Sequence, residues 1–277
     1  MSKILVTTDF SKNAKAAVLF AIQLASQTNC TLTFFHSYQL MRPTQWNDAV
    51  FLPYEESEHT KAYQSLTEFV KGIYESVGIV PKEVDYVAEK AVNAAQHILE
   101  YASKNNYDFI CVSRKGHGKS SSLFGSTSSK LISKSAVPVI AVPEDYQPTE
   151  ISMISYASDL TNLTTHLKKV SDFSTMTGAK VEVLHFRTPM DELINPQELE
   201  RITVRLADLD FRLHFENLDH EHSLIENINK AIDKSQPSMM IMFTQQKRSL
   251  FERIFLSSIS AEYSAVSKIP LLVFRKE

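Results

Sequence analysis

Half of the six glycines in the 277-residue chain fall in one short window, Gly116, Gly118 and Gly125. The window reads Ser113-Arg-Lys-Gly-His-Gly-Lys-Ser-Ser-Ser-Leu-Phe-Gly-Ser-Thr127. It follows the apolar run Phe109-Ile-Cys-Val112 and precedes a short helical pattern that stops before Val137-Pro138. Strand, glycine loop and helix start, in that order, suit an anion. Glycine lets the backbone approach a phosphate, and the free N–H groups of a helix's first turn point at it. Ser126 and Thr127 add hydroxyl donors, and Lys115 and Lys119 add positive charge. The same composition also suits an exposed polar loop with no ligand.

A second phosphate-loop pattern overlaps the window. Ser113-x4-Gly118-Lys119-Ser120 is a Walker-type loop with its first glycine replaced. Such a loop follows the first strand of its domain and opens a long helix. Here it follows a fourth strand, and Gly125 interrupts the helix, so this chemistry is disfavoured. The nine histidines make no clear metal set. His220 and His222 flank Glu221 without a third obvious ligand. His36 and His185 end equivalent strands and read as structural, while His117 in the glycine loop could reach a phosphate. Trp46, Phe51 and Tyr54 in the long loop read as loop packing, with lining a pocket or covering the sheet edge as the alternatives.

The elements that must position the window alternate. Residues 3–8 form a β-branched run, followed by Asp9 and Ser11 where a helix cap belongs, then a helical pattern over 14–25. The expected order continues with a strand at 31–38, a long loop at 39–56, a helix at 57–77 closed by Gly78 and a strand at 81–87. A helix at 94–105, a strand at 107–112, the glycine window, a helix at 126–135 and a strand at 138–142 complete the first half. Strands alternating with helices argue for a parallel sheet covered on both faces.

After the two-proline stretch 143–150 the order restarts. Strands are expected at 151–156, 180–186, 211–216, 239–243 and 270–274, with helices at 160–177, 196–207, 223–234 and 251–266. Ser135-Ala-Val-Pro-Val-Ile-Ala-Val aligns with Ser267-Lys-Ile-Pro-Leu-Leu-Val-Phe. The chain is read as a tandem duplication, with domains at 1–145 and 150–277.

Net charge is −3 with both signs mixed, which supplies no field for nucleic acid or an anionic membrane. The two cysteines, Cys30 and Cys111, sit in apolar runs and give no disulfide framework. A strand begins almost at Met1, leaving no room for a signal peptide, and no apolar run approaches the ~20 residues of a membrane span. A soluble, cytoplasmic protein is expected.

The opening Ile4-Leu-Val-Thr-Thr-Asp-Phe-Ser11 and the glycine window together resemble the universal stress protein family. That family's motif, Gly-x2-Gly-x9-Gly-Ser/Thr, falls on Ser113-Arg-Lys-Gly116, eight residues, then Gly125-Ser126. Serine replaces the first glycine and the spacer is one residue short. The resemblance covers both halves. It implies an α/β fold of two tandem doubly wound domains, each a five-stranded parallel sheet of order 3-2-1-4-5 with helices on both faces.

The resemblance also implies a site. Asp9, with Thr8 beside it, would hold the adenosine, and Ser37 would line the adenine pocket. Ser113, Gly116, His117, Gly118, Gly125, Ser126 and Thr127 would wrap the ribose and phosphates of ATP or another adenine nucleotide, with Mg²⁺. Asp9 reads equally as a cap of the first helix. In the second half the corresponding loop is Phe243-Thr-Gln-Gln-Lys-Arg-Ser-Leu-Phe251, Ser257-Ser258 replaces Gly125-Ser126, and no glycine follows Gly178. That half is expected to hold no nucleotide, with Asp159 a helix cap and Lys247, Arg248 and Arg253 a solvated basic face. The expected function is a stress-response regulator that binds nucleotide in its N-terminal domain, with weak ATP hydrolysis at most. A nucleotide-free interaction module with a decayed site is the other reading. The family's pairing through last strands implies an internal pseudo-dimer of the two domains, and a homodimer is a further expectation.

Overall fold

The computed structural model describes residues 1–114, 126–160, 162–187, 196–219, 221–222, 224–244 and 268–275. The chain forms two compact units, with the change at Pro148–Thr149.

In the first unit, β1 (Lys3–Thr7), α1 (Ala14–Gln27), β2 (Thr31–Tyr38), α2 (Asp48–Val77), β3 (Val84–Lys90), α3 (Ala94–Lys104), β4 (Phe109–Ser113), α4 (Ser126–Lys134) and β5 (Val139–Val142) follow one another. Their sheet runs β3-β2-β1-β4-β5, and every pair within it is parallel. Side chains alternate across a strand, so neighbours on β2 meet different helices. Phe34 packs edge-on against Tyr74 of α2, whereas Phe35 meets Tyr101 and His97 of α3. Helices thus cover both faces, and Ile4, Leu5, Val6, Phe34, Phe35, Ile110 and Cys111 between them are sealed from water.

Several boundaries differ from expectation, those of α2 and β3 in the first unit among them, and in the second unit the helix expected at 160–177 starts at Leu163. The stretch read as loop over 39–56 contains the first turns of α2, a 30-residue helix with Pro53 inside it. Asn47 caps it by accepting from Val50 N at 3.2 Å. Phe51 anchors it, buried beneath the cations of Arg42 and Lys90, and Lys90 pairs with Glu55. Pro53 removes one hydrogen bond, to the Ala49 carbonyl, and the anchor offsets that loss. The third strand lies at Val84–Lys90 rather than 81–87, because its register is set by β2 from Leu32↔Val84 to Tyr38↔Lys90.

The second unit comprises β6 (Met153–Ala157), α5 (Leu163–Thr177), β7 (Lys180–Arg187), α6 (Pro196–Asp208), β8 (Phe211–Asn217), α7 (Leu224–Ser235), β9 (Met239–Thr244) and β10 (Leu271–Arg275). Its order β8-β7-β6-β9-β10 repeats that of the first unit, again with parallel pairs. The helix expected at 251–266 lies outside the described residues.

The duplication reaches the backbone. Phe10 and Leu160, each three residues past its unit's first strand, sit in the left-handed region at φ 63 and 59. A non-glycine residue there costs roughly 1–2 kcal/mol, and both turns are held alike: Phe10 N donates to Thr8 Oγ1 and Leu160 N to Ser158 Oγ, each at 3.0 Å. Asp108 and Ser238, just before the fourth strands, accept from Lys3 N and Met153 N. Among the described residues no helix is long and apolar enough to cross a membrane.

Candidate functional site

The candidate site arises where β1 parts from one neighbour and stays with the other. Pairing with β2 continues to Thr7↔Phe35, extended by Thr8 N donating to Phe35 O at 3.0 Å. Pairing with β4 stops at Val6↔Cys111. Beyond that level a crevice of about 340 Å³ opens at the carboxyl ends of the strands. Its walls come from six elements, β1, α1, β2, α3, β4 and α4, and from the turn after β1. Phe35, Val112, Ala94 and Ile98 supply apolar surface, and Thr7, Thr8, Ser11, Ser37, Ser113, Thr127 and Ser128 supply hydroxyls. Asp9 and Asn13 complete the rim.

Five of the expected residues, Thr8, Asp9, Ser37, Ser113 and Thr127, therefore line a single crevice. Gly116, His117, Gly118 and Gly125 lie outside the described residues, as do Lys115 and Lys119. Ser126 opens α4. With Thr127 and Ser128 at the lip, the first turn of α4 borders the crevice and brings the positive end of its dipole there.

Asp9 is exposed, and its Oδ1 accepts from Ser11 N at 3.0 Å. It does not cap α1. The helix starts only at Ala14, and it is Ser11 Oγ that accepts from Ala14 N at 3.2 Å. Asp9 is instead the only ionisable side chain among the described crevice residues. Ser37 Oγ is buried and has no hydrogen-bond partner among the described residues. A buried hydroxyl without a partner is costly, and it points to a group that the crevice would hold.

Sequence reasoning missed several lining residues. Ser11 was visible only as a cap, and Ile98 only as one residue of the helix expected at 94–105. Arg114, which is not among the residues lining the crevice, follows β4, is 1% exposed and donates its N–H to Val142 O. Burial holds its guanidinium down to about 9, against the raising effect of Asp145.

The second unit carries different residues at the corresponding positions. His185 matches His36, because each Nδ1 lies against the carbonyl oxygen that follows its unit's first strand, Ser158 at 2.9 Å and Thr8 at 2.8 Å. Both histidines thus hold the carbonyl that follows their unit's first strand. That match sets Phe186 against Ser37. The registers of β4 on β1 and of β9 on β6 likewise set Phe243 against Ser113. Phe243 stacks on the buried His166 at 3.8 Å and on Phe274 at 5.0 Å. Tyr156 OH binds His166 Nδ1 at 3.0 Å, and burial pushes the Tyr156 phenol up. Asp159 is not the cap of α5, since Asn162 immediately precedes that helix. His222 pairs with Asp219 at 2.7 Å, His220 lies outside the described residues, and no metal-binding cluster occurs among the described residues.

The model of the universal stress protein family matches residues 1–143. No curated protein matches the chain. Among solved structures, a universal stress protein from Archaeoglobus fulgidus DSM 4304 superposes with a TM-score of 0.67 at 15% identity, over 99% of this chain and 98% of that one. A putative universal stress protein from Pseudomonas aeruginosa UCBPP-PA14 gives a TM-score of 0.54 at 14% identity, over 99% and 93%. At such identities the likeness is one of fold.

Proposed function

This chain belongs to the universal stress protein family, and on that premise we propose that its first unit is a regulatory receptor for ATP or a related adenine nucleotide. The observation that carries the reading is the meeting of Thr8, Asp9, Ser37, Ser113 and Thr127 around one crevice, with Ser37 Oγ buried and unpartnered among the described residues. Open parallel sheets take ligands at the carboxyl ends of their strands, at the switch in strand order, and β1 and β4 flank that switch here. Phe35, Ile98 and Val112 suit a purine ring. The Asp9 carboxylate accepts hydrogen bonds from ribose hydroxyls. The phosphates, with their Mg²⁺, fall to the first turn of α4 and to the glycine window.

Binding without efficient turnover fits the same surface, because one carboxylate gives no acid–base pair. The domain at 150–277 is the partner without a nucleotide site; Phe186 and Phe243 stand where the crevice of the domain at 1–145 has serines. A thermal-shift titration with ATP, ADP and AMP tests the reading. A ligand at ~100-fold excess over Kd stabilises by ~2.7 kcal/mol. No shift at millimolar nucleotide would overturn the proposal in favour of an interaction module. Phosphate release above a Gly125→Val control would add slow hydrolysis.

A further inference from the structure

We propose that His36 is a positioning residue for the crevice, acting through the Thr8–Asp9 peptide; this rests on the nucleotide reading above. A carbonyl oxygen only accepts, so the 2.8 Å contact with Thr8 O fixes the proton on His36 Nδ1. Thr8 is thereby tied to β2 twice, through its N–H to Phe35 O and through its carbonyl to His36. In a trans peptide the C=O and the following N–H point in opposite directions. With Thr8 O held toward β2, the Asp9 N–H faces the other way, toward β4. That is the side on which β1 and β4 have parted, and the crevice lies there. No described residue accepts from the Asp9 N–H. It is offered to an acceptor oxygen of the bound nucleotide.

The first unit braces this turn further than the second does. The His36 ring stacks on Phe10, with centroids 4.1 Å apart, and Phe10 meets Phe69 of α2 edge-on. Phe10 is the left-handed residue of the turn, at φ 63. Leu160 takes that place in the second unit and offers no ring. His36 therefore holds both the peptide before Asp9 and the side chain after it.

The test compares His36→Phe, which keeps a ring for the stack but has no donor, with His36→Asn, whose Nδ2 stands where Nδ1 stood. ATP affinity is measured by calorimetry on the full chain. Loss of one hydrogen-bond donor predicts roughly tenfold weaker binding in His36→Phe and near wild-type binding in His36→Asn. Unchanged affinity in His36→Phe overturns the proposal. Should His36→Phe fail to fold, His36→Gln, whose donor sits one bond further out, replaces it with the same expectation. Should the wild type bind no nucleotide, the functional reading fails, and amide exchange of the free protein decides the positioning claim. The Phe10 N–H then exchanges roughly tenfold faster in His36→Phe and at the wild-type rate in His36→Asn. Equal rates in all three would overturn it.

Discussion

Phe186 stands in the second unit where Ser37 stands in the first, each directly after the histidine that holds the carbonyl beyond its unit's first strand. The pair sets a serine of the crevice against a phenylalanine at the equivalent position. Ser37→Phe should put a ring into the 340 Å³ space and abolish the nucleotide-induced thermal shift. Because the ring enters a void rather than a packed core, the ~1–3 kcal/mol strain of overpacking is not expected. A variant that keeps its thermal shift would show that the crevice is not the site.

Asp9→Ala separates binding from stability. The Asp9 carboxylate closes a local turn onto Ser11 N at an exposed position. Urea unfolding should therefore change by less than ~1 kcal/mol, while ATP affinity falls by about tenfold or more with the loss of a charged acceptor. Equal affinity would remove Asp9 from the site.

The helix α2 carries a contrast within one element. Leu66 is 0% exposed and Leu52 is 58% exposed. Leu66→Ala should cost about 2–5 kcal/mol in urea unfolding, and Leu52→Ala less than ~0.5 kcal/mol. Similar losses would contradict the packing of α2 on β2 and β3.

The alternation of apolar runs was enough to read the strands of both halves, because parallel strands buried on two faces are nearly continuous in apolar residues; their order in five-stranded sheets came from the family resemblance. The repeat was readable for the same reason. The start of α2 was not: Pro53 and the polar residues around it mask the period, and the cation-flanked burial of Phe51 depends on Arg42 and Lys90 from elsewhere in the fold. Crevice residues were readable where a motif named them, as with Asp9, Ser37 and Thr127. Ser11, Phe35 and Ile98 were not, since their place at the crevice follows from where β1 and β4 separate. Nor did the glycine count reveal Phe186 and Phe243 as the groups standing in the second unit's equivalent space.

Alkaline unfolding has a defined sign. Burial pushes the phenols of Tyr74 and Tyr101 up to about 12. In the unfolded chain they ionise near ~10. The stability they contribute is full below pH ~10 and is lost as pH rises through about 12. Urea midpoints should hold to pH ~10 and fall above it, with tyrosinate absorbance lagging behind that of free tyrosine. Tyr74→Phe should flatten part of the fall. Full tyrosinate absorbance at pH ~10 in the folded protein would contradict the burial of these side chains.

Calorimetric titration of the full chain with ATP, in the wild type and in Ser37→Phe and Phe186→Ser, tests most directly whether the first unit alone holds the nucleotide. One nucleotide per chain is expected in the wild type and in Phe186→Ser, and none in Ser37→Phe. Two nucleotides per chain, or binding that survives Ser37→Phe and disappears in Phe186→Ser, would contradict it.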